Sequence, residues 1–290
     1  MSGRSAQLHD IEPGSPGPAR EKNRQFAIGL ARAFSGALLF AFPMLMTMEM
    51  WWLGFYVHPL RLVVFILLNV PLLVGLSYYA GFEETGSRLE DVLDAFIAYA
   101  VGFVVAALTL WLLAIVGPDM SANEIIGKIA IQAVPASMGA MLTRSQFGEE
   151  QRKEERRSSA NYEAGLFLMA VGALYLSASL ASTEEMVLIA FKMTAGHVIG
   201  LVLFSLGLMQ GFLYAVVGRG KTDLPSDDIP FWHVFFRYTV VGYAIALLIS
   251  YLILWIFGRT AGLAPEELVQ AVVVVGFPAA LGAGAARLIL

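Results

Sequence analysis

Few side chains in this sequence could do chemistry, and they stand among apolar neighbours. Glu49 (in MTMEMWW), Arg61, Lys128, Gln132, Lys192 and His197 each interrupt or border a hydrophobic run. An ionised group at hydrocarbon depth costs roughly 2.5–3.5 kcal/mol on insertion scales, so each is a candidate for lining a path across a bilayer. Arg61 is the base nearest to Glu49 along the chain. The pair either clamps a helical hairpin, or Glu49 accepts a cation or a proton. Lys192 and His197 are five residues apart, about 500° of helix rotation, and therefore do not share a face. His197, between glycines in TAGHVIG, falls nearest the middle of its apolar run. Its imidazole suits proton transfer there, or a bond to a neighbouring carbonyl. Lys128 and Gln132 are one turn apart and form a polar stripe with Glu124, which can line a path or pack against Glu49.

Enzyme chemistry is poorly supplied. The chain has no cysteine, which excludes disulfides, thiolate nucleophiles and sulfur-ligated metals, and its four histidines form no ligand pattern. HExxH, GxSxG and phosphate-loop motifs are absent; the nearest approach, GRGKTD at 218–223, lacks the leading glycine. No enzyme activity, metal or cofactor is expected. A net charge of −4 gives no basic signature for nucleic acid.

These residues must be positioned by membrane helices. Of 290 residues, 58% are hydrophobic and only 14% charged, and the mean hydropathy is +0.69, which leaves too little polar surface for a soluble shell. Eight apolar segments, at about 26–52, 60–80, 92–116, 122–143, 162–182, 186–217, 233–258 and 266–290, each reach the length that crosses about 30 Å of hydrocarbon. They lack the alternation of barrel strands, so the fold class is an all-α membrane protein. Residues 1–25 read as a disordered cytoplasmic tail, and 144–161, rich in both charge signs, as a cytoplasmic linker.

Lys and Arg collect on the cytoplasmic side of short loops. Eight spans with the N-terminus inside put fifteen of the nineteen basic residues on the inner side, leaving Arg61, Lys128, Lys192 and Arg259 outside. Both termini are expected inside.

The chain also aligns with itself. AYAVGFVVAALTLWLLAIVG from Ala98 matches GYAIALLISYLILWIFGRTA from Gly242, and VPASMGA from Val134 matches FPAALGA from Phe277. These blocks pair Tyr99 with Tyr243, Trp111 with Trp255, Pro135 with Pro278 and Gly139 with Gly282. In the first two helices of each half, Gly36 is set against Gly165 and Arg61 against Lys192. Four helices per unit is even, so the expectation is a parallel 4+4 repeat, 26–143 and 162–290, about an axis along the membrane normal. Pro135 and Pro278 are candidate helix breaks, and their helices candidates for the central seam.

With the opening RAFSGALLFAFPMLMTMEMWW and the paired blocks in view, the chain resembles a family of uncharacterised bacterial integral membrane proteins carrying a domain of unknown function. The resemblance implies a multi-pass protein of a bacterial inner membrane and transfers no site residues. The expectation is a channel or transporter for a small ion or solute, its path between the two repeats and lined by His197, Glu49, Lys192, Lys128, Gln132 and Arg61. The alternative is a sensor or assembly partner that docks another protein through small-residue helix faces and the linker. The lipid bilayer is the first partner, and a homo-oligomer is compatible with the small-residue faces.

Overall fold

The computed structural model describes residues 18–80, 88–146, 162–217 and 231–289. All regular structure there is helical. In chain order the helices are α1 (Pro18–Leu45), α2 (Met48–Tyr56), α3 (Pro59–Ala80), α4 (Arg88–Leu112), α5 (Ala122–Gln146), α6 (Tyr162–Ala181), α7 (Glu184–Lys192) and α8 (Ala195–Val217). They continue with α9 (Phe231–Val234), a π-helical stretch (Phe235–Val240), α10 (Val241–Ile256) and α11 (Pro265–Ile289). Among the described residues, eight helical segments are long and apolar enough to cross a membrane.

Local sequence explains the boundaries. Pro18, Pro59 and Pro265 each open a helix, where the missing N–H would have no partner anyway. The helix that starts at Pro18 makes residues 18–25 helical, although they were expected to belong to the tail. Apart from Asn23, the residues of AREKNRQ are good helix formers, and they continue the first span outward. The remainder of that tail, most of the 144–161 linker and the 218–223 turn lie outside the described residues.

Two apolar runs that read as single spans are broken. The run 26–52 divides at Met46–Thr47 and the run 186–217 at Met193–Thr194, which frees the nine-residue helices α2 and α7. A second device is common to both. Thr47 donates its hydroxyl to the Met44 carbonyl (2.9 Å) and Thr183 to that of Leu180 (2.9 Å), each holding a carbonyl exposed where a long helix ends.

Helix packing defines two groups. In the first, α5 is wrapped by α1, α2, α3 and α4; in the second, α11 is wrapped by α6, α7, α8 and α10. Of the span in α5, 83% is buried, and of that in α8 only 17%, so α5 is a core helix and α8 a peripheral one. The tightest approaches are between glycines. A Cβ at Gly36 or Gly139 would overlap the other residue's carbonyl oxygen, and the same holds for Gly172 and Gly282. Backbones thus touch where α1 crosses α5 and where α6 crosses α11, the close packing that replaces hydrophobic drive in lipid.

Pro135 and Pro278 do not break their helices. Both are buried within continuous α5 and α11. Neither helix forms the seam between groups; among the described residues, α5 and α11 make no substantial contact. The seam is built by α1 and α3 against α6 and α10. Phe65 meets Phe257 edge-on (5.8 Å), Phe40 meets Tyr175 (5.2 Å), and the Tyr175 hydroxyl donates to the Phe40 carbonyl (2.9 Å). The Phe167 ring fills the space a side chain at Gly75 would need.

α4 and α10 end alike. The N–H groups of Leu113, Ala114 and Ile115 donate to Thr109, Trp111 and Leu110 (2.9, 3.0 and 2.9 Å), and those of Phe257, Gly258 and Arg259 to Ile253, Trp255 and Leu254 (2.9, 3.1 and 2.8 Å). The turn requires a left-handed residue. Gly258 supplies it at φ +76°, but Ala114 occupies it at φ 56°. That conformation costs an L-residue about 1–2 kcal/mol, partly offset by glycine's greater freedom when unfolded. Ala114→Gly is therefore expected to stabilise by about 0.5–1 kcal/mol, seen as a higher thermal midpoint in detergent. An unchanged or lowered midpoint would argue against strain at this residue.

Candidate functional site

The six residues singled out by charge and polarity do not converge. Arg61, Lys128 and Lys192 lie at one end of the bundle with Arg259. Arg61 lies over the Trp255 ring (5.2 Å from its centroid), across the seam, rather than on Glu49. Among the described residues no ion pair joins Glu49 to Arg61. Lys192 is the exposed last residue of α7. His197 is not at mid-span: the break at Met193–Thr194 places it in the first turn of α8, with its side chain exposed. There its Nδ1 faces the Thr194 hydroxyl (2.8 Å) and accepts from the Thr194 N–H (3.3 Å), which makes it a helix cap.

Arg259 ties this end together. Its guanidinium donates to the Ser182 carbonyl (2.6 Å) and pairs with Glu184 (3.3 Å), bridging the loop after α10 to the start of α7. Tyr56, at the end of α2, is close enough to feel both charges. Burial pushes its hydroxyl above the ordinary tyrosine value, against the pull of the Arg259 guanidinium.

Only the stripe on α5 is internal. Lys128 pairs with Glu124 one turn earlier (2.6 Å), and its stem is held by α2, where a Cβ at Gly54 would come 2.5 Å from the Lys128 Cα. Gln132 is fully buried and donates to the Met44 carbonyl (3.3 Å), which Thr47 also caps at the end of α1; its own Oε1 has no partner. Further along, Ser137 donates to the Val134 carbonyl (2.7 Å) and accepts from Asn69 Nδ2 (2.8 Å). Asn69, 1% exposed and central in α3, leaves its Oδ1 unpartnered. The Tyr99 hydroxyl donates to the Ile66 carbonyl (3.2 Å), one turn from Asn69. Beyond them lie Thr143, bonded to the Gly139 carbonyl (2.8 Å), and the Ser77–Asp91 hydrogen bond (3.1 Å), buried where α3 meets α4.

Read along α5, Glu124, Lys128, Gln132, Ser137 and Thr143 recur every four to six residues from one end of the span towards the other. The central helix of the second group offers nothing similar, since residues 271–286 of α11 are all apolar, glycine or proline. Glu267 there caps its own helix, accepting from the Ala264 N–H (2.8 Å). The second group has smaller polar contacts, Ser177 with Ser250 (3.3 Å) and Thr239 of the π-helical stretch with Gln210. Among the described residues no cluster of three acidic or histidine side chains could hold a metal.

Residues 29–290 match the model of a family described as "Putative integral membrane protein (DUF2391)". The chain belongs to this family. No curated protein and no solved structure matches it. Membership makes this DUF2391 protein a multi-pass integral membrane protein of unknown function, and the large side chains exposed around its helices then face lipid. Trp52, Phe55 and Trp111, all more than half exposed, crowd the end that carries Arg61 and Lys128, as interfacial aromatics do.

Asn69, Ser137 and Tyr99 escaped the charge-based reading. Asn69 carried a signal all the same: it is an amide at the centre of the apolar run 60–80, where a polar group needs a partner from another helix.

Proposed function

We propose that this DUF2391 protein is a channel or transporter for a small ion or solute rather than an enzyme, and that its path runs along the buried polar residues of α5 through the first helix group, passing from Gln132 on the α1 side to Ser137 on the α3 side. The observation that carries this reading is the pair of buried amide oxygens, Gln132 Oε1 and Asn69 Oδ1, left without donors in the span. A buried acceptor with no partner costs about 1–3 kcal/mol, a cost that a passing cation, proton donor or water would repay. Apart from Arg61 over Trp255 at one end, the seam between groups is lined by aromatic and aliphatic side chains, which favours a path inside the group over one between the groups. Of the residues first considered, Lys128 and Gln132 stay on the path; His197, Lys192, Arg61 and Glu49 do not.

The same reading takes the two helix groups as a parallel 4+4 duplication. Three constant offsets support it. Adding 136 carries Gly36 to Gly172, Thr47 to Thr183, α2 onto α7 and Arg61 to His197; this replaces the earlier pairings of Gly36 with Gly165 and Arg61 with Lys192. Adding 144 carries Tyr99, Trp111 and Ala114 to Tyr243, Trp255 and Gly258, and adding 143 carries Pro135 and Gly139 to Pro278 and Gly282. Each backbone contact of one glycine pair then has its counterpart in the other. The first copy kept or acquired polar residues on its central helix, whereas Ala271, Val275 and Ala280 stand at the places of Lys128, Gln132 and Ser137. The basic residues of the sequence favour both termini inside, and the resemblance favours a bacterial inner membrane.

Flux of protons and of monovalent cations into liposomes holding the purified protein tests the path. Gln132→Leu and Asn69→Leu each remove one polar group while keeping the volume similar. Losing a group worth about 1.4 kcal/mol at the barrier slows flux about tenfold, so each variant is expected to lose at least that, with its thermal midpoint near the parent's. A parent without flux, or variants that conduct as the parent does, would remove this function and favour the docking alternative.

A further inference from the structure

We propose that a second copy of this chain docks on the side of α8 that carries His197, Leu201 and Gly211, of which Leu201 is partly covered by its own chain, meeting it with the outer face of its α4 and repeating between chains the seam that joins the two helix groups within one. The proposal rests on the duplication and is independent of the transport path.

Within the chain the seam is made of unlike faces. On α3, Arg61, Phe65 and Gly75 receive Trp255 and Phe257, from α10 and its C-terminal turn, and Phe167 from α6. The duplication gives α8 the same face, with His197, Leu201 and Gly211 at the places of Arg61, Phe65 and Gly75. It gives α4 and its C-terminal turn the face of α10, with Trp111 and Leu113 at the places of Trp255 and Phe257. One face of each type is used up in the internal seam, and one of each is left over.

Burial follows this division. Ile256 and Phe257 are 1% and 0% exposed, whereas Leu112 and Leu113 at the corresponding places are 67% and 40% exposed. Gly75 is capped by Phe167, whereas nothing lies within 4 Å of a Cβ at Gly211. Among the described residues α8 makes no substantial contact with α4 or α1 of its own chain. A seam between unlike faces can be continued by another copy, and it closes into a ring when the rotation divides a full turn. Copies in one bilayer share their orientation, so the rotation axis lies along the membrane normal. The contacts specific to such a ring are Leu201 with the partner's Leu113 and His197 with the partner's Trp111.

The chain has no cysteine, so introduced thiols report without background. Leu201→Cys and Leu113→Cys chains, carrying different tags and co-expressed, are treated in membranes with a short bis-methanethiosulfonate. A product bearing both tags is expected, and no product from either variant alone. Phe65→Cys/Phe257→Cys in one chain reads the internal seam, with Arg61→Cys/Trp255→Cys as a second control should the first fail to fold. Mass photometry of the unaltered protein in nanodiscs is expected to give two chains or a higher multiple. An internal link with only single chains in nanodiscs, or Leu201→Cys linking to itself, overturns docking and leaves the duplication standing. Absence of the internal link in both controls overturns the seam and the docking proposal with it.

Discussion

Alanine at Gly139 or at Gly282 is expected to cost about 2–3 kcal/mol of folding stability, and leucine at either to leave no folded protein, because each glycine lets two backbones touch. A methyl group at Gly139 would sit 2.5 Å from the Phe40 Cβ as well as on the Gly36 carbonyl, and one at Gly282 would overlap the Gly172 carbonyl. Neither obstacle is the end of a flexible side chain that could swing away, so whole helices must separate. Gly29 is the control: nothing lies within 4 Å of a Cβ there, and alanine should be neutral or favourable by up to about 1 kcal/mol. Unfolding midpoints in detergent or bicelles measure all three. Alanine variants at 139 and 282 that unfold where the parent does would mean that the two crossings are looser than described.

Lys128→Met should be the second large loss, about 3 kcal/mol, and Glu124→Gln added to it should recover most of the deficit. The Lys128 and Glu124 side chains are only 10% and 21% exposed, and they neutralise each other at 2.6 Å near the start of α5. Removing one partner strands the other charge where water is scarce, which costs about 3–5 kcal/mol for a fully buried pair and somewhat less here. Methionine matches the length of the lysine stem, so packing against Gly54 is largely kept. A double-mutant cycle on denaturation midpoints gives the coupling directly. Simple addition of the two single effects would show that the pair is screened and of little consequence.

Much of the architecture could be read from the amino acids because the bilayer imposes one length scale. Runs of about 20 apolar residues announced the spans, whereas the coincident Tyr, Trp, Pro and Gly of the later helices support the duplication only as a proposal. The breaks at Met46–Thr47 and Met193–Thr194 were hidden, since neither threonine has a glycine or proline beside it and the adjoining residues are Met46, Met48, Met193 and Ala195. Length was the available clue: a 32-residue run such as 186–217 spans about 48 Å as one helix, well beyond the hydrocarbon thickness. Missing that break put His197 at mid-membrane and hid the offset of 136. Pro135 and Pro278 were over-read for a different reason. A proline removes one donor, but small neighbours such as Ala136 and Gly139 let the helix run on in a packed interior. The buried amides were under-read because charge was used to rank candidates, and an uncharged side chain at the centre of a span has almost as much need of company.

Glycines locked backbone to backbone also restrict how the molecule can move. Sliding α1 along α5, or α6 along α11, would drive carbonyl oxygens into neighbouring Cα atoms, so neither helix group can shear along these crossings. The aromatic seam has no such interlock, because its rings meet edge to face and can roll. Any change of shape in this protein is therefore a rocking of two stiff levers, with Phe65, Phe257, Phe40 and Tyr175 as the fulcrum and the Arg259 clasp, internal to the second lever, carried along intact.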